Sequence, residues 1–198
     1  AKIEGLSESD SAAFKDLQSQ SSRSSSAPTA MIEPEGGPWG EAKDWVYCRP
    51  NTWAIGFLQR VEAPCGRCDD TALNALELIC GGADGISVER IQSYGGLWGA
   101  WSDPTFCFGE KNFLQGAQFR IEPRQGSGDD TSANDSRFTC TNGNVIQASN
   151  GAPWGDWRLA ASCPQWSAIC GFRLKFEPRQ GGDDTAMNGA KFMCCSLQ

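Results

Sequence analysis

The stretch Trp39-Gly40, Cys48, Asp69-Asp70-Thr71 and Cys80 decides the fold, because the chain contains it three times. It returns as Trp98-Gly99, Cys107, Asp129-Asp130-Thr131 and Cys140, and again as Trp154-Gly155, Cys163, Asp183-Asp184-Thr185 and Cys194. A period in the fifties is typical of stacked or radial repeats, in which one unit cannot bury its apolar face alone. Three copies are few for an open array. The repeat therefore predicts a closed, three-sided body.

Composition and charge limit the function classes. The chain has 198 residues, enough for one domain with a core, and a net charge of −7. It contains no run of Lys or Arg, so nucleic acid and anionic membranes are poor partners. No apolar stretch approaches the length of a membrane-spanning helix. The chain begins at Ala1 without Met, and we expect a processed, secreted, extracellular protein.

Ten cysteines and no histidine indicate an oxidising compartment. The pairs Cys48–Cys80, Cys107–Cys140 and Cys163–Cys194 have nearly equal separations of 32, 33 and 31 residues. Equal separations favour one disulfide per repeat over a metal site, and we expect no metal and no cofactor. Cys170 and Cys195 share the third repeat and are predicted to pair. Cys65 and Cys68 would close a small Cys-Gly-Arg-Cys loop, either as a staple or as free or redox-labile thiols.

Alternation of apolar and polar residues predicts two strands per repeat, in sheets with one buried and one solvent-exposed face. The first strand is expected to bury Phe57, Gln59 and Val61, then Ala117, Phe119 and Ile121, then Phe172, Leu174 and Phe176. The second is expected to bury Leu76 and Leu78, then Phe138, then Ala190 and Phe192. Gln59 is the exception, a polar residue where the other copies have Phe and Leu.

A further strand precedes each new Trp-Gly pair, through Ile91 and Ile146. The third repeat lacks it. Ile32, however, stands seven residues before Trp39, as Ile91 does before Trp98. We therefore expect the segment around Met31 and Ile32 to supply the missing strand and close the ring, which removes a free sheet edge.

The domain organisation is predicted as a Ser-rich extension over residues 1–29 and a repeat domain over 30–198. The repeats run over about 30–85, 86–144 and 145–198. In the extension, Ser9-Asp10 is expected to cap a short helix carrying Ala12, Ala13, Phe14 and Leu17. The Ser-rich stretch that follows reads as a linker. We expect the extension to pack on something, such as a neighbouring subunit of a homo-oligomer.

The three Trp-Gly, Cys, Gly-Phe, Asp-Asp-Thr-Ala and Cys units resemble the vitelline membrane outer layer protein I family over about residues 30–198. The resemblance implies an all-β fold: a β-prism of three Greek-key four-stranded sheets around a pseudo-threefold axis. It also implies a secreted structural constituent of an extracellular layer such as an egg coat. The family is further associated with N-acetylglucosamine oligosaccharides through a transferase-like activity.

Two residue types invite a binding or catalytic interpretation. The pairs at Asp69-Asp70, Asp129-Asp130 and Asp183-Asp184 could serve glycosidic chemistry or bind Ca²⁺. Their identical recurrence favours a structural role, since a catalytic acid and base need different environments. Asn74, Asn134 and Asn188 are assigned to the same internal network. Trp39, Trp98 and Trp154 recur in register and are expected to pack in the core or between sheets. Trp45, Trp53 and Trp166 do not recur and are the candidate glycan platform.

The absence of histidine excludes a Ser-His-Asp or Cys-His catalytic arrangement. The sequence favours a non-enzymatic, structural or interaction protein of an extracellular layer, with extracellular proteins or glycans as partners. The alternative is a lectin-like module for N-acetylglucosamine-containing glycans. A transferase activity comes third.

Overall fold

The computed structural model describes residues 6–21, 26–63, 73–123, 132–178 and 186–198. One helix, α1 (Glu8–Ser21), precedes the strands. The strands are β1 (Pro28–Ile32), β2 (Glu41–Ala42), β3 (Val46–Tyr47), β4 (Trp53–Val61), β5 (Leu73–Gly81), β6 (Ser87–Ile91), β7 (Ala100–Trp101), β8 (Thr105–Phe106), β9 (Leu114–Glu122), β10 (Ser132–Cys140), β11 (Val145–Gln147), β12 (Asp156–Trp157), β13 (Ala161–Ser162), β14 (Ser167–Glu177) and β15 (Ala186–Ser196). Within these ranges, no helix is long and apolar enough to cross a membrane.

Three antiparallel sheets share one plan, which confirms the predicted fold class. Sheet A has the order β1-β15-β14-β2, sheet B has β6-β5-β4-β7, and sheet C has β11-β10-β9-β12. In each, a second short strand (β3, β8 or β13) pairs with the same long strand as the edge strand. The two short strands thus form one interrupted edge strand, and each sheet is effectively four-stranded. In sheets B and C the chain runs through three neighbouring strands and then returns to the far side of the first, as in a Greek key. Sheet A has the same strand arrangement, but its strands β1, β2 and β3 come from the start of the domain.

The ring closes where the sequence predicts it. Strand β1 pairs with β15, with Met31 opposite Met193 and Ile32 opposite Phe192. The interrupted edge strands of sheets B and C come from the Trp-Gly segment of the following repeat, and that of sheet A comes from the Trp-Gly segment of the first repeat. The three repeats are therefore interlocked, because no sheet is complete within one of them.

The predicted inward faces meet in one core. Phe192 is its centre, with the rings of Phe119, Phe138 and Phe172 at centroid distances of 6.4, 5.7 and 6.2 Å. All four rings are fully buried. A second apolar cluster lies outside this core and includes Leu58, which the alternation places on the outer face. Leu58 is nevertheless only 6% exposed, because that face of sheet B is covered as well.

Four disulfides join the pairs that the spacing indicates: Cys48–Cys80, Cys107–Cys140, Cys163–Cys194 and Cys170–Cys195. The first three each leave the edge strand of one sheet and reach a long strand of the next, linking A to B, B to C and C to A. They therefore form a ring of covalent links between sheets. The fourth lies within sheet A. Cys65 and Cys68, and the pairs Asp69-Asp70, Asp129-Asp130 and Asp183-Asp184, lie outside the described residues.

The recurring Trp-Gly pair has a different role from the one expected. Trp39, Trp98 and Trp154 are 44, 49 and 52% exposed, so packing in the core is wrong for them, and packing between sheets stays a prediction. The structural requirement at this pair belongs to the glycine, whose backbone conformation and close neighbours leave no room for a side chain. Gly99 has φ +98°, and a Cβ there would lie 2.4 Å from the Val61 carbonyl oxygen. Gly40 and Gly155 also have positive φ, and a Cβ there would lie 2.8 and 2.3 Å from the nearest backbone atom.

Helix α1 begins one turn earlier than predicted. Its cap is Ser7, whose Oγ accepts the backbone N–H of Asp10 at 3.2 Å, so the assignment of the cap to Ser9-Asp10 is wrong. Ala13 and Phe14 are buried, while Ala12 is exposed. The helix packs on sheet A of its own chain.

Candidate functional site

The three non-recurring tryptophans do not form one platform. Trp53 and Trp166 line the same cavity. Trp45 does not belong to that cavity and lies with α1 on the outer face of sheet A, where its Nε1 donates to Asp10 Oδ1 at 3.1 Å. The structure thus brings two of the three candidate residues together and separates the third.

The cavity has a volume of about 770 Å³ and forms where loops from all three sheets meet. Four connections line the cavity: the β5–β6 and β10–β11 turns, which lie within a sheet, and the β8–β9 and β13–β14 loops, which join one sheet to the next. Leu197, just after β15, completes the lining. Pockets of this size and concavity are typical of small-molecule and saccharide sites.

The floor of the cavity is aromatic and rigid. The rings of Trp53 and Phe113 pack at a tilt, with centroids 5.1 Å apart, and both side chains are buried. Trp53 Nε1 donates to the Ser196 carbonyl oxygen at 3.2 Å, which holds the indole in place. The two rings therefore form a fixed apolar base under the exposed rings of the rim.

The rim carries two rings that face solvent. Trp166 is 65% exposed and Phe108 is 82% exposed. Trp166 adopts φ +63°, a conformation that L residues other than Gly rarely adopt. The Leu197 N–H donates to the Trp166 carbonyl oxygen at 2.9 Å and supports this backbone. A large exposed indole held by an unusual backbone conformation indicates a binding role rather than a packing role. Phe108 packs its ring on Phe106, with centroids 5.9 Å apart.

Polar groups complete the site. Asn112 holds the loops together, since its Oδ1 accepts from Thr141 Oγ1 and from the Asn142 N–H, each at 3.2 Å. Its Nδ2 donates to the Phe108 carbonyl oxygen at 2.9 Å. By contrast, the side chains of Glu110, Lys111 and Gln165 make no hydrogen bond within the described part of the chain, so their donors and acceptors can face a ligand.

The arrangement fits binding better than catalysis. Glu110 is the one carboxylate among the described lining residues. Glycosidic bond cleavage or transfer ordinarily needs a pair of carboxyl groups about 5 to 10 Å apart. Across the described residues, no group of three or more His, Cys, Asp or Glu side chains is placed to hold a metal ion.

The repeated asparagines lie elsewhere, and all three are fully buried. The backbone carbonyl oxygens of Asn134 and Asn188 accept hydrogen bonds from the backbone N–H groups of Ala152 and Gly37, at 2.9 and 2.7 Å. Asn74 Oδ1 accepts from Leu97 and Trp98, at 3.4 and 3.3 Å. These bonds join long strands to the Trp-Gly segments. Only Asn74 uses its side-chain oxygen for this purpose, and the buried Oδ1 atoms of Asn134 and Asn188 have no hydrogen-bond partner among the described residues. A shared network with the Asp-Asp-Thr motifs stays a prediction.

Sequence reasoning missed Phe108, Phe113 and Asn112. Phe108 directly follows Cys107, where the other copies have Arg49 and Pro164. Non-recurrence, the signal that identified Trp53 and Trp166, would also have identified Phe108.

Residues 29–197 match the model of a known family, described as vitelline membrane outer layer protein I. The chain belongs to this family. The resemblance inferred from the three repeats is thereby confirmed. Helix α1 lies outside the matched residues.

Relatives in mammals are similar over most of their length. The human vitelline membrane outer layer protein 1 homolog is 39% identical over 175 residues, which cover 84% of this chain and 83% of the relative. The mouse homolog is 38% identical over 168 residues, covering 81% and 80%. The family and the four disulfides together place the chain among extracellular proteins.

Among solved structures, a mannose-specific jacalin-related lectin from Morus nigra, in complex with mannose, has the same fold. Its TM-score is 0.54 at 14% identity, and the match covers 86% of this chain and 96% of the lectin. At this identity the similarity establishes the β-prism architecture alone.

Proposed function

We propose that this chain is a secreted component of an extracellular layer, and that it holds N-acetylglucosamine-containing glycans in the cavity between Trp53 and Trp166. One observation carries the proposal: an exposed indole, Trp166, stands over a buried aromatic floor in a cavity of about 770 Å³. The site combines stacking surfaces with the polar side chains of Glu110, Lys111 and Gln165, which make no hydrogen bond to any residue that the structure describes.

Sugar chemistry matches these features. A pyranose ring has an apolar face that stacks on an indole and a rim of hydroxyls that need hydrogen bonds. An N-acetyl group adds a methyl for the aromatic floor and an amide for a polar neighbour. Lys111 and Gln165 offer donors and Glu110 offers acceptors at the rim. The mannose-binding lectins of the same fold support the proposal by showing that the architecture can carry saccharide sites.

The scaffold suits a structural role in a layer. Three disulfides link the three sheets in a ring, so the cavity loops are anchored to a frame that resists unfolding outside the cell. A rigid frame reduces the entropy lost when a glycan binds.

The test is a glycan array with the full chain, followed by titration of the best glycan with Trp fluorescence as the readout. Trp166→Ala is expected to weaken binding by about tenfold or more, as for a Trp at the centre of a binding surface. Trp154→Ala is the matched control, because Trp154 is also about half exposed, at 52%, and does not line the cavity. It should bind like the unmodified chain.

Two results would contradict the proposal. Equal binding by the Trp166→Ala variant would show that the cavity is not the glycan site. A blank array would leave protein contacts as the basis of the role in a layer.

A further inference from the structure

Helix α1 presents a regular stripe to sheet A. Asp10, Ala13, Phe14 and Leu17 follow the i, i+3, i+4, i+7 spacing of one helix face. The first three are buried, at 1, 9 and 8% exposure, and Leu17 is half-buried. Phe14 belongs to an apolar cluster with Met193 and the Cys170–Cys195 disulfide. The helix is therefore docked specifically, although it lies outside the family match.

Three donors from sheet A converge on the Asp10 carboxylate. Lys191 Nζ lies 2.6 Å from Oδ2, Arg173 Nη1 lies 2.9 Å from Oδ1, and Trp45 Nε1 lies 3.1 Å from Oδ1. Arg173 is itself held in place, since its Nε donates to the Lys43 carbonyl oxygen at 2.9 Å. The donors are mounted on strands and an edge loop of the sheet. All three donors belong to the sheet, and together they form a carboxylate-binding site on its outer face.

This site exists on one of the three related sheets. The paired positions Arg173 and Lys191 in sheet A correspond to Leu58 and Glu77 in sheet B, and to Gln118 and Arg137 in sheet C. Sheet B thus offers one carboxylate and no cation at these positions. In sheet C, Arg137 is engaged by Gln118 Oε1 at 2.6 Å and lies over the Trp157 ring. The carboxylate site and the docked helix therefore occur together, on sheet A.

We propose that the outer face of sheet A is a docking site for helix α1 of a second copy, so that copies of this chain are linked by exchange of their N-terminal helices. The occupant is identified by charge and shape: an amphipathic helix with a carboxylate and a phenylalanine four residues apart. The same contacts form whether the helix comes from its own chain or from another.

Concentration decides between the two arrangements. A short tether holds a helix near its own sheet at an effective concentration on the order of millimolar. In dilute solution the helix docks on its own chain. In a densely packed layer, neighbouring helices approach the same concentration, and exchange links the copies without any new contact surface. The residues that bind Asp10 do not line the glycan cavity, although Phe14 shares an apolar cluster with Trp53 and Phe113.

The experiment uses two full-length variants that cannot dock their own helix. Asp10→Lys leaves sheet A intact and places a cation against Arg173 and Lys191. Lys191→Glu leaves α1 intact and places a carboxylate against Asp10. In an equimolar mixture, each helix finds a complementary sheet on the other chain. We expect a 1:1 heterodimer by native mass spectrometry and light scattering, with affinity at least about tenfold above either self-association, since like charges in contact are strongly disfavoured.

Asp16→Lys is the matched control, because Asp16 lies on the exposed face of the same helix. Mixed with the Lys191→Glu chain, it should give no heterodimer, since its own helix already fills its sheet. A fluorescent peptide of residues 6–21 provides a second readout, and it should bind the Asp10→Lys chain more tightly than the unmodified chain. A mixture that stays monomeric while both variants keep their sheet circular dichroism would overturn the proposal, as would equal heterodimer formation with the Asp16→Lys chain. No glycan is present, so this outcome is independent of the Trp166→Ala test.

Discussion

Replacing Gln59 by Leu should destabilise the core, although Leu174 occupies the equivalent position of sheet A. Gln59 is fully buried between sheets B and C. Its Nε2 donates to Asp135 Oδ1 and to Asn150 Oδ1, both at 3.0 Å. Its Oε1 accepts from Ser136 Oγ at 2.7 Å. Leu at this position removes all three hydrogen bonds and leaves the buried partners in place.

The magnitude follows from what remains of the network. Asp135 keeps two donors, the Ser136 N–H at 2.8 Å and Gln147 Nε2 at 2.6 Å. Ser136 Oγ loses its acceptor, and Asp135 Oδ1 loses one of its two donors. A buried polar group without a partner costs about 1–3 kcal/mol. We expect a loss of about 3 kcal/mol in the free energy of unfolding, which is a fall of roughly 6–12 °C in Tm for a chain of this size.

The assay is guanidinium unfolding of the full chain with its disulfides intact, followed by intrinsic fluorescence. A triple variant with Gln59→Leu, Asp135→Ala and Ser136→Ala carries the residues found at equivalent positions of the other copies. It should lose less than the sum of the three single variants, because no buried polar partner is left behind.

Gln92→Leu is the control, since Gln92 is exposed and should change stability by no more than about 0.5 kcal/mol. The reasoning would be refuted if Gln59→Leu unfolded at the same denaturant concentration as the unmodified chain. Strict additivity of the three single losses would also refute it, because the network would then not be coupled.

Two further predictions concern the helix and the ring of disulfides. Burial alone would raise the pKa of Asp10, but hydrogen bonds from Lys191, Arg173, Ser7 and Trp45 outweigh it and lower this pKa from 3.8 to about 2. The ionised Asp10 carboxylate therefore favours docking of α1 by about 2 kcal/mol above pH 4, and this contribution is lost as the pH falls toward 2. Hydrogen exchange of the α1 amides should become faster over the same pH range. The Asp10→Asn variant should abolish this pH dependence, whereas Asp16→Asn should keep it. Removing the Cys163–Cys194 bridge by double substitution to Ser should cost about 3.5–4 kcal/mol, and a loss below about 1 kcal/mol in thermal unfolding would contradict the loop-entropy argument.

The strand pattern could be predicted because period-two alternation reports burial directly. Phe172, Leu174 and Phe176 are buried as expected, and the segment at Ile32 closes the ring. The first inference rests on alternation that recurs in all three copies, and the second on the seven-residue spacing shared by Ile32–Trp39 and Ile91–Trp98.

The roles of the tryptophans could not be predicted in the same way. Recurrence of Trp98 in register suggests a structural role, but the backbone requirement belongs to Gly99 beside it. The position of Trp45 depends on α1, which has no counterpart in the repeats. The cavity at Trp53 and Trp166 is formed by loops from different repeats, and loop geometry leaves no periodic signal in a sequence.

The pairing of β1 with β15 has a consequence for biosynthesis. About 160 residues separate Ile32 from its partner Phe192, so this contact has a high loop-closure cost and cannot form until nearly all of the domain is synthesised. Until β15 is synthesised, β1 has no partner strand, and an unpaired strand is prone to pair with another chain. We expect the nascent chain to depend on chaperones until β1 has paired with β15. We also expect the Cys163–Cys194 disulfide to form in one of the final steps of folding.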